Sequence, residues 1–174
     1  MSQENHFVAE FYHRLWPWIE HGSSLSFCLD DGGTGGSSTP DLCFCFIGAA
    51  QPMRIECKII YAGKGNNKKR NHIRVYRKQL LTWVKPTAGI SPHLWIAKRD
   101  DGDEYFLWRH DHADFLAGFE AVASTVDPDD KNDKKGRLVK VPGAITAEPV
   151  TLAGLFFRVW TIAIESGLLA ERKG

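Results

Sequence analysis

Two apolar segments joined by a short connection occupy residues 40–60, PDLCFCFIGAAQPMRIECKII. Residues 41–47 and 53–61 have the apolar, partly β-branched and aromatic composition of strands, and the connection between them is bounded by glycine and proline. Two strands separated by so short a turn pair side by side as a hairpin. The pattern therefore predicts two neighbouring antiparallel strands.

Charged residues stand within the second strand, where apolar neighbours would bury them. Glu56 and Lys58 are two residues apart, so in an extended segment both side chains project from one face of the sheet. Folding the hairpin about its turn brings Asp41 opposite this segment, because cross-strand neighbours lie about 5–8 Å apart. The sequence thus predicts that two carboxylates and one ammonium group share one small site.

This combination of charges suits the hydrolysis of phosphodiester bonds. Asp and Glu are hard oxygen ligands that hold Mg²⁺ while leaving positions for water and phosphate oxygens, and the metal lowers the pKa of a bound water. Lys58 would orient the attacking water or stabilise charge on the phosphate. The alternative interpretation is an edge-strand salt bridge between Lys58 and one carboxylate, which stabilises little at a surface.

The motif and the elements around it resemble those of the PD-(D/E)XK nuclease superfamily. The motif corresponds to Pro40-Asp41 followed by Glu56-Cys57-Lys58. The resemblance covers about residues 5–110 and implies a restriction-endonuclease-like α/β fold, with an α-β-β-β-α-β core and a central mixed sheet flanked by helices. The elements predicted in that order are a helix at 4–20, strands near 24–29, 41–47 and 53–61, a helix near 74–85 and a strand near 92–98.

A second similarity lies on the helix that follows the motif. Gln79-Leu80-Leu81-Thr82-Trp83 is similar to the Q-x-x-x-Y segment of the RecB-like branch of the superfamily, with Trp in place of Tyr. The Holliday-junction-resolvase-like branch is the other branch that the resemblance suggests. It implies that Gln79 belongs to the catalytic set, supporting the site or contacting the nucleic acid.

The resemblance also implies a set of metal ligands. Asp41 and Glu56 would ligate Mg²⁺, for which Mn²⁺ can substitute, and the backbone carbonyl of Cys57 would add a ligand. Lys58 would be catalytic. Many members place a glutamate of the first helix near the metal, and the candidate for that position in this sequence is Glu10.

Positive charge is concentrated beside the predicted site. The net charge is only +1, yet the window from Cys57 to Arg99 contains no Asp or Glu and eleven of the 22 lysines and arginines. A basic, Asn-rich loop that leads into a helix suits contacts with nucleic-acid phosphates, whereas the alternative is a solvated loop. The candidate nucleic-acid-binding residues are Lys64, Lys68, Lys69, Arg70, Arg74, Arg77 and Lys78.

The four cysteines, Cys28, Cys43, Cys45 and Cys57, all fall in predicted strands. Their spacing fits neither a common zinc site nor the iron–sulfur arrangement of some RecB-like nucleases, so small buried thiols are the favoured interpretation. The N-terminus does not resemble a signal peptide. We therefore expect a cytoplasmic protein with reduced thiols.

The 174 residues, 43% of them hydrophobic, suit a single domain with a sizeable core. Residues 111–174 are predicted to form a C-terminal helical extension of the nuclease-like core. The last helix, beginning at Thr151, is apolar on most of its circumference, so it is buried either in the core or in a homodimer contact. An arginine and a glutamate interrupt it, which argues against a membrane span.

Three shorter segments also carry predictions. Residues 104–108 are predicted as a strand after a turn. His110, Asp111 and His112 have side chains that can bind transition metals, but a cap of the following helix by Asp111 or His112 is favoured. The charged segment 127–137 has no apolar side chains and is expected to have no fixed structure of its own.

The function that these patterns favour is that of a Mg²⁺-dependent deoxyribonuclease, an endonuclease in preference to an exonuclease. One alternative is a catalytically inactive nuclease-fold module that binds DNA or a protein partner. Another is a structural or inhibitory protein in which the motif is coincidental. The last alternative would be favoured if Asp41 and Glu56 lay far apart.

Overall fold

The computed structural model describes residues 3–20, 26–28, 40–45, 53–60, 71–84, 91–100, 102, 104–142 and 152–165. The helices within these residues are α1 (Gln3–Glu20), α2 (Arg77–Trp83), α3 (Ala113–Ala123) and α4 (Leu152–Glu165). The strands are β1 (Ser26–Cys28), β2 (Leu42–Cys45), β3 (Met53–Ile60), β4 (His72–Val75), β5 (Leu94–Arg99), β6 (Tyr105–Arg109) and β7 (Arg137–Lys140).

A five-stranded mixed sheet in the order β1-β2-β3-β5-β6 forms the centre of the fold. β3 and β5 are parallel, whereas the other neighbouring pairs are antiparallel. The predicted hairpin is present as β2 and β3, whose register pairs Leu42 with Ile55. Asp41, one residue before Leu42, is therefore carried to the position beside Glu56, as the sequence predicted.

Alternation along β3 sends its side chains into two cores on opposite faces of the sheet. Ile59 belongs to a core that includes Phe7 of α1 and Leu155 of α4. Ile60 belongs to the other core, with Trp83 of α2 and Phe119 of α3. The protein is thus a mixed α/β structure with a central mixed sheet flanked by helices.

A separate two-stranded sheet, β4 with β7, was not predicted from the sequence. The helix expected near 74–85 begins only at Arg77, because the preceding residues form β4. In β4 the buried residues Ile73 and Val75 alternate with exposed Arg74, which is the period of a strand. Its partner β7 lies some 60 residues downstream, so no local pattern indicates the pairing.

The expectation that residues 127–137 have no fixed structure is wrong. Aspartate side chains in this segment accept hydrogen bonds from backbone N–H groups two residues further on, at Asp129, Asn132 and Lys135. Such side-chain turns need no apolar residues. An ion pair of 2.6 Å between Arg137 and Asp133 ties the end of the segment to the start of β7.

The C-terminal helix α4 packs on the same face of the sheet as α1. Leu155 and Val159 are buried in that core, whereas Phe157 is 62% exposed. The expected homodimer contact stays a prediction. Among the described residues no helix combines the length and the apolar composition that crossing a membrane requires.

Candidate metal and catalytic site

Three carboxylates converge beside the start of β2. Glu4, Asp41 and Glu56 each place one oxygen within 4.8 Å of the other two. Glu56 lies on the central strand β3 and is fully buried, whereas Glu4 and Asp41 are half-buried. The structure therefore brings together the two acidic residues that the sequence predicted and adds a third.

Reciprocal hydrogen bonds hold Asp41 against β3. Its Oδ2 accepts the backbone N–H of Cys57 at 2.8 Å, and its own N–H donates to Glu56 Oε2 at 3.3 Å. The N–H and C=O of one strand residue point to the same edge, so the Cys57 carbonyl is directed to the edge where Asp41 lies. That orientation suits the predicted role of this carbonyl as a ligand.

The thiol of Cys57 does not belong to the site. Cys57 is fully buried in the core that contains Phe7 and Phe11 of α1. Burial raises the pKa of this thiol well above its usual value, and the charges of Asp41 and Glu56 raise it further. The thiol is consequently neutral and serves as a small apolar side chain.

Lys58 lies between two of the carboxylates. Its Nζ is 2.6 Å from Glu4 Oε1 and 2.6 Å from Glu56 Oε1. Burial by itself would lower the pKa of Lys58, but the carboxylates of Glu56 and Glu4 outweigh it and hold the pKa above its usual value. The predicted alternative of a salt bridge is right about the ion pair but wrong about its place, because the side chain is only 3% exposed and β3 is the middle strand of the sheet.

Gln79 of α2 contacts Glu56 from the face of the sheet opposite to α1. Its Nε2 donates to Glu56 Oε1 at 2.8 Å, and its Oε1 accepts the backbone N–H of Tyr76 at 3.2 Å. The amide is buried and held at both ends, so it fixes the orientation of Glu56. Trp83, which takes the aromatic position of the Q-x-x-x-Y pattern, is fully buried in the core and packs against Trp95.

The helix glutamate at the site is Glu4, and the expectation for Glu10 is corrected. Glu10 instead lies 3.7 Å from Lys98 Nζ. Six residues separate the two glutamates, which puts them about 9 Å apart along the helix and on different sides of it. Glu4 precedes Phe7 by three residues and Phe11 by seven, and this shared stripe was the signal available in the sequence.

Negative charge exceeds positive charge within the cluster. Burial raises the pKa of Glu56 well above its usual value, the charge of Asp41 raises it further, and Lys58 opposes both. With all groups ionised, three carboxylates face one ammonium group. A divalent cation would offset the difference, and carboxylate oxygens are the ligands that Mg²⁺ prefers.

The predicted nucleic-acid-binding residues divide into three sets. Arg74 and Lys78 are exposed. Arg77 has a structural role, since its guanidinium donates to the backbone carbonyls of Asp127, at 3.2 Å, and Pro128. Lys64, Lys68, Lys69 and Arg70 lie outside the described residues.

The His110-Asp111-His112 segment is structural. His110 is buried and accepts the indole N–H of Trp95 at 2.9 Å, while its Nε2 lies 3.0 Å from the carbonyl oxygen of Trp83. Burial lowers the pKa of His110, which favours the neutral ring. Asp111 pairs with Arg109, and His112 is the N-cap residue of α3, although its side chain makes no cap hydrogen bond.

Cysteine and histidine are absent from the one group of metal-ligating side chains found among the described residues. No protein-family model matches the chain, and no curated protein and no solved structure matches it significantly. The functional conclusion therefore depends on the geometry and the charge of the site.

Proposed function

We propose that the protein is a metal-dependent nuclease that hydrolyses phosphodiester bonds in DNA, with Mg²⁺ as its cofactor and Mn²⁺ as a substitute. The observation that carries this proposal is the convergence of Glu4, Asp41 and Glu56 within 4.8 Å, with Lys58 in contact with two of them. Hard oxygen ligands next to a buried cation are what metal-assisted phosphoryl chemistry needs.

The position of the motif in the fold supports membership of the PD-(D/E)XK superfamily. Asp41 and the Glu56-Cys57-Lys58 tripeptide lie on adjacent strands in contact with each other. Helix and strands follow the α-β-β-β-α-β order, with β4 added before the second helix. A restriction-endonuclease-like fold is therefore part of the proposal.

The residues of the site would divide the chemistry among them. Glu4, Asp41 and Glu56, together with the Cys57 carbonyl, would hold Mg²⁺, which when bound activates a water and polarises the phosphate. Lys58 carries a positive charge at the cluster and would stabilise the negative charge that develops on the phosphate. Gln79 would keep the Glu56 carboxylate in its ligating orientation.

Contacts within the motif favour catalysis over the alternatives. Glu56, Lys58 and Gln79 are all present and in contact with one another through Glu56, whereas an inactive module would be expected to have lost at least one residue of the set. A large separation of Asp41 and Glu56 would have favoured a coincidental motif, whereas the Asp41 backbone nitrogen lies 3.3 Å from Glu56 Oε2. A module that binds DNA without cleaving it is the remaining rival.

A cleavage assay tests the proposal. Purified protein is incubated with supercoiled plasmid, linear duplex and branched DNA, in Mg²⁺ and in chelator. We expect nicked or linearised plasmid in Mg²⁺ only, since an endonuclease needs no free end. Asp41→Asn and Glu56→Gln should fall to background while remaining folded, and Asp114→Asn, which alters an exposed carboxylate on α3, should keep full activity.

Metal-dependent cleavage that persists in both Asp41→Asn and Glu56→Gln would not depend on this site and would contradict the proposal. DNA binding without cleavage in any metal would support the inactive module instead.

A further inference from the structure

Lys58 occupies the middle of the carboxylate cluster. Its Nζ is equidistant, at 2.6 Å, from Oε1 of Glu4 and Oε1 of Glu56. These two residues also belong to the group whose oxygens are close enough to hold a metal ion. The position that a cation would take between Glu4 and Glu56 is therefore already taken by a cation of the protein itself.

A metal ion and the ammonium group cannot both keep these contacts. Mg²⁺ binds carboxylate oxygens at about 2.0–2.1 Å and Ca²⁺ at about 2.3–2.6 Å. An ammonium group that stayed on the same two oxygens would face the ion at short range, and the two positive charges would repel each other with little solvent to screen them. A divalent ion that binds these same Oε1 atoms therefore requires Lys58 to release at least one carboxylate.

Glu56 would keep its orientation during this exchange. Its Oε1 also accepts Gln79 Nε2 at 2.8 Å, and its Oε2 accepts the Asp41 N–H at 3.3 Å. Neither contact involves the lysine. The oxygens would thus remain in place for the metal, while the flexible stem of Lys58 allows its head group to move.

We propose that Lys58 is an internal competitor for the metal ion, which holds Glu4 and Glu56 together before the ion binds and is displaced from at least one of them when it does. This inference rests on the proposed function, because it assumes that the carboxylate cluster is a metal site. The displaced ammonium group is then available to pair with the phosphate of the nucleic acid.

The same arrangement makes Lys58 a determinant of cation selectivity. A monovalent ion that replaced the ammonium group would bring no additional charge, and it would have to compete with a group tethered inside the site. A divalent ion brings twice the charge to three carboxylates. Lys58 thereby excludes Na⁺ and K⁺ and weakens the affinity for divalent ions.

Calorimetric titration of the metal-free protein with Ca²⁺ tests the competition without relying on cleavage. Wild type is compared with Lys58→Met, which keeps the length of the side chain and removes its charge. The matched control is Lys98→Met. Lys98 lies 3.7 Å from Glu10, and Glu10 is on α1, the helix that also carries Glu4. We expect Lys58→Met to bind Ca²⁺ about ten-fold more tightly or better, and Lys98→Met to match wild type.

Selectivity provides a second readout from the same proteins. Added KCl should weaken Ca²⁺ binding to Lys58→Met more than tetramethylammonium chloride does at the same concentration. The reason is that K⁺ can enter the site, whereas the larger tetramethylammonium ion cannot. In wild type the two salts should act alike.

A measurement on wild type covers the case in which Lys58→Met does not fold. The side-chain NMR signal of Lys58, identified by its loss in Lys58→Arg, should shift on Ca²⁺ addition with the same midpoint as the calorimetric titration. A Lys58 signal that does not move while Ca²⁺ binds would overturn the inference.

The outcomes separate this inference from the proposed function. Equal or weaker Ca²⁺ binding by Lys58→Met, with binding by wild type intact, refutes the competition and leaves the nuclease proposal standing. Binding by Lys58→Met alone supports the competition in its strongest form. If neither protein binds Ca²⁺, Mg²⁺ or Mn²⁺, the metal site fails, and both proposals fail with it.

Discussion

Gln79 is held at both ends of its amide, and this makes it the positioning residue of the site. One end donates to the buried Glu56 carboxylate and the other accepts the N–H of Tyr76, the N-cap residue of α2. An amide suits this position better than a carboxylate, because only an amide both donates and accepts. Its role is exerted through Glu56.

Replacing Gln79 by Leu should lower Ca²⁺ affinity and cleavage by about 10–100-fold, the usual effect of losing a group that orients a metal ligand. The unpaired Tyr76 N–H should also reduce the free energy of unfolding by about 1–3 kcal/mol. Calorimetric titration with Ca²⁺ and chemical denaturation measure the two effects. Thr82→Ala, a half-buried change on the same helix, is the control. Unchanged Ca²⁺ affinity in Gln79→Leu would refute the positioning role.

Glu4 and Glu10 provide a comparison within one helix. Glu4→Gln should weaken Ca²⁺ binding by about ten-fold or more, because it removes a charged ligand from the cluster. Glu10→Gln should leave binding unchanged, since Glu10 lies against Lys98. Titration of both variants in the same buffer measures the difference. The reverse order of effects would identify Glu10, the residue expected from the sequence, as the metal ligand.

At the scale of elements, the β4–β7 sheet presents an exposed surface with positive charges, which the sequence did not predict. Its register pairs His72 with Lys140 and Arg74 with Leu138. Arg74 and Lys140 are exposed, and Lys78 of the adjoining α2 is exposed as well. A two-stranded ribbon fits the major groove of duplex DNA. We define Arg74, Lys78 and Lys140 as the ribbon cations.

Neutralising the ribbon cations together, as Arg74→Gln, Lys78→Gln and Lys140→Gln, should weaken DNA binding similarly for unrelated sequences. Each phosphate contact contributes about −0.9 to the slope of log K against log salt, so the slope should become shallower by about 2–3 units. Salt titrations in Ca²⁺, which we expect to support binding without turnover, measure it.

A matched control for the ribbon cations comes from the loop before β7. Lys131, Lys134 and Lys135 are exposed and equal in number, but they lie among aspartates. Their replacement by Gln should change the slope little. If both triple variants change the slope equally, the ribbon cations do not form the DNA-binding face.

At the scale of the whole molecule, the sheet gathers the site from elements that pack on opposite faces. α1, which supplies Glu4, and α2, which supplies Gln79, belong to different cores. Near the start of β3, His93 joins that strand to the segment before β5, since its Nδ1 accepts the N–H of Arg54 at 3.1 Å. Burial, and then the charge of Arg54, lower the pKa of His93 to about 4.

This shift predicts a loss of stability in acid. A histidine whose pKa is lower in the folded than in the unfolded state binds fewer protons when folded, so stability falls as the pH decreases. The window runs from about 6.5, the usual value, to about 4. Because His93 is only half-buried, we expect an effect on the order of 1–2 kcal/mol after screening.

Denaturant unfolding of wild type and His93→Gln between pH 7 and pH 4 measures the contribution of His93. The variant should lose less stability over that window. His6→Gln, on an exposed position of α1, controls for the loss of one imidazole. Parallel curves for wild type and His93→Gln would show that His93 does not link folding to protonation.

The sequence by itself determined the hairpin and, with it, the pairing of Asp41 with Glu56. Both depend on neighbours along the chain: strand composition, a short turn and a period of two. It also indicated Lys58, because this residue lies two positions after Glu56 on the same strand. These features are short-range, so they were available before any tertiary contact was known. Gln79 was implied only by the resemblance of its helix to the Q-x-x-x-Y segment, since 21 residues separate it from Lys58.

Only the tertiary structure decided which helix glutamate reaches the site and that β4 pairs with β7. The choice of Glu4 over Glu10 depends on how α1 is rotated and placed on the sheet, which packing of Phe7 and Phe11 fixes. The β4–β7 ladder joins segments some 60 residues apart, and no local pattern encodes such a pairing. The burial that places the Lys58 ammonium group between two carboxylates likewise exists only once both helix layers have closed on the sheet.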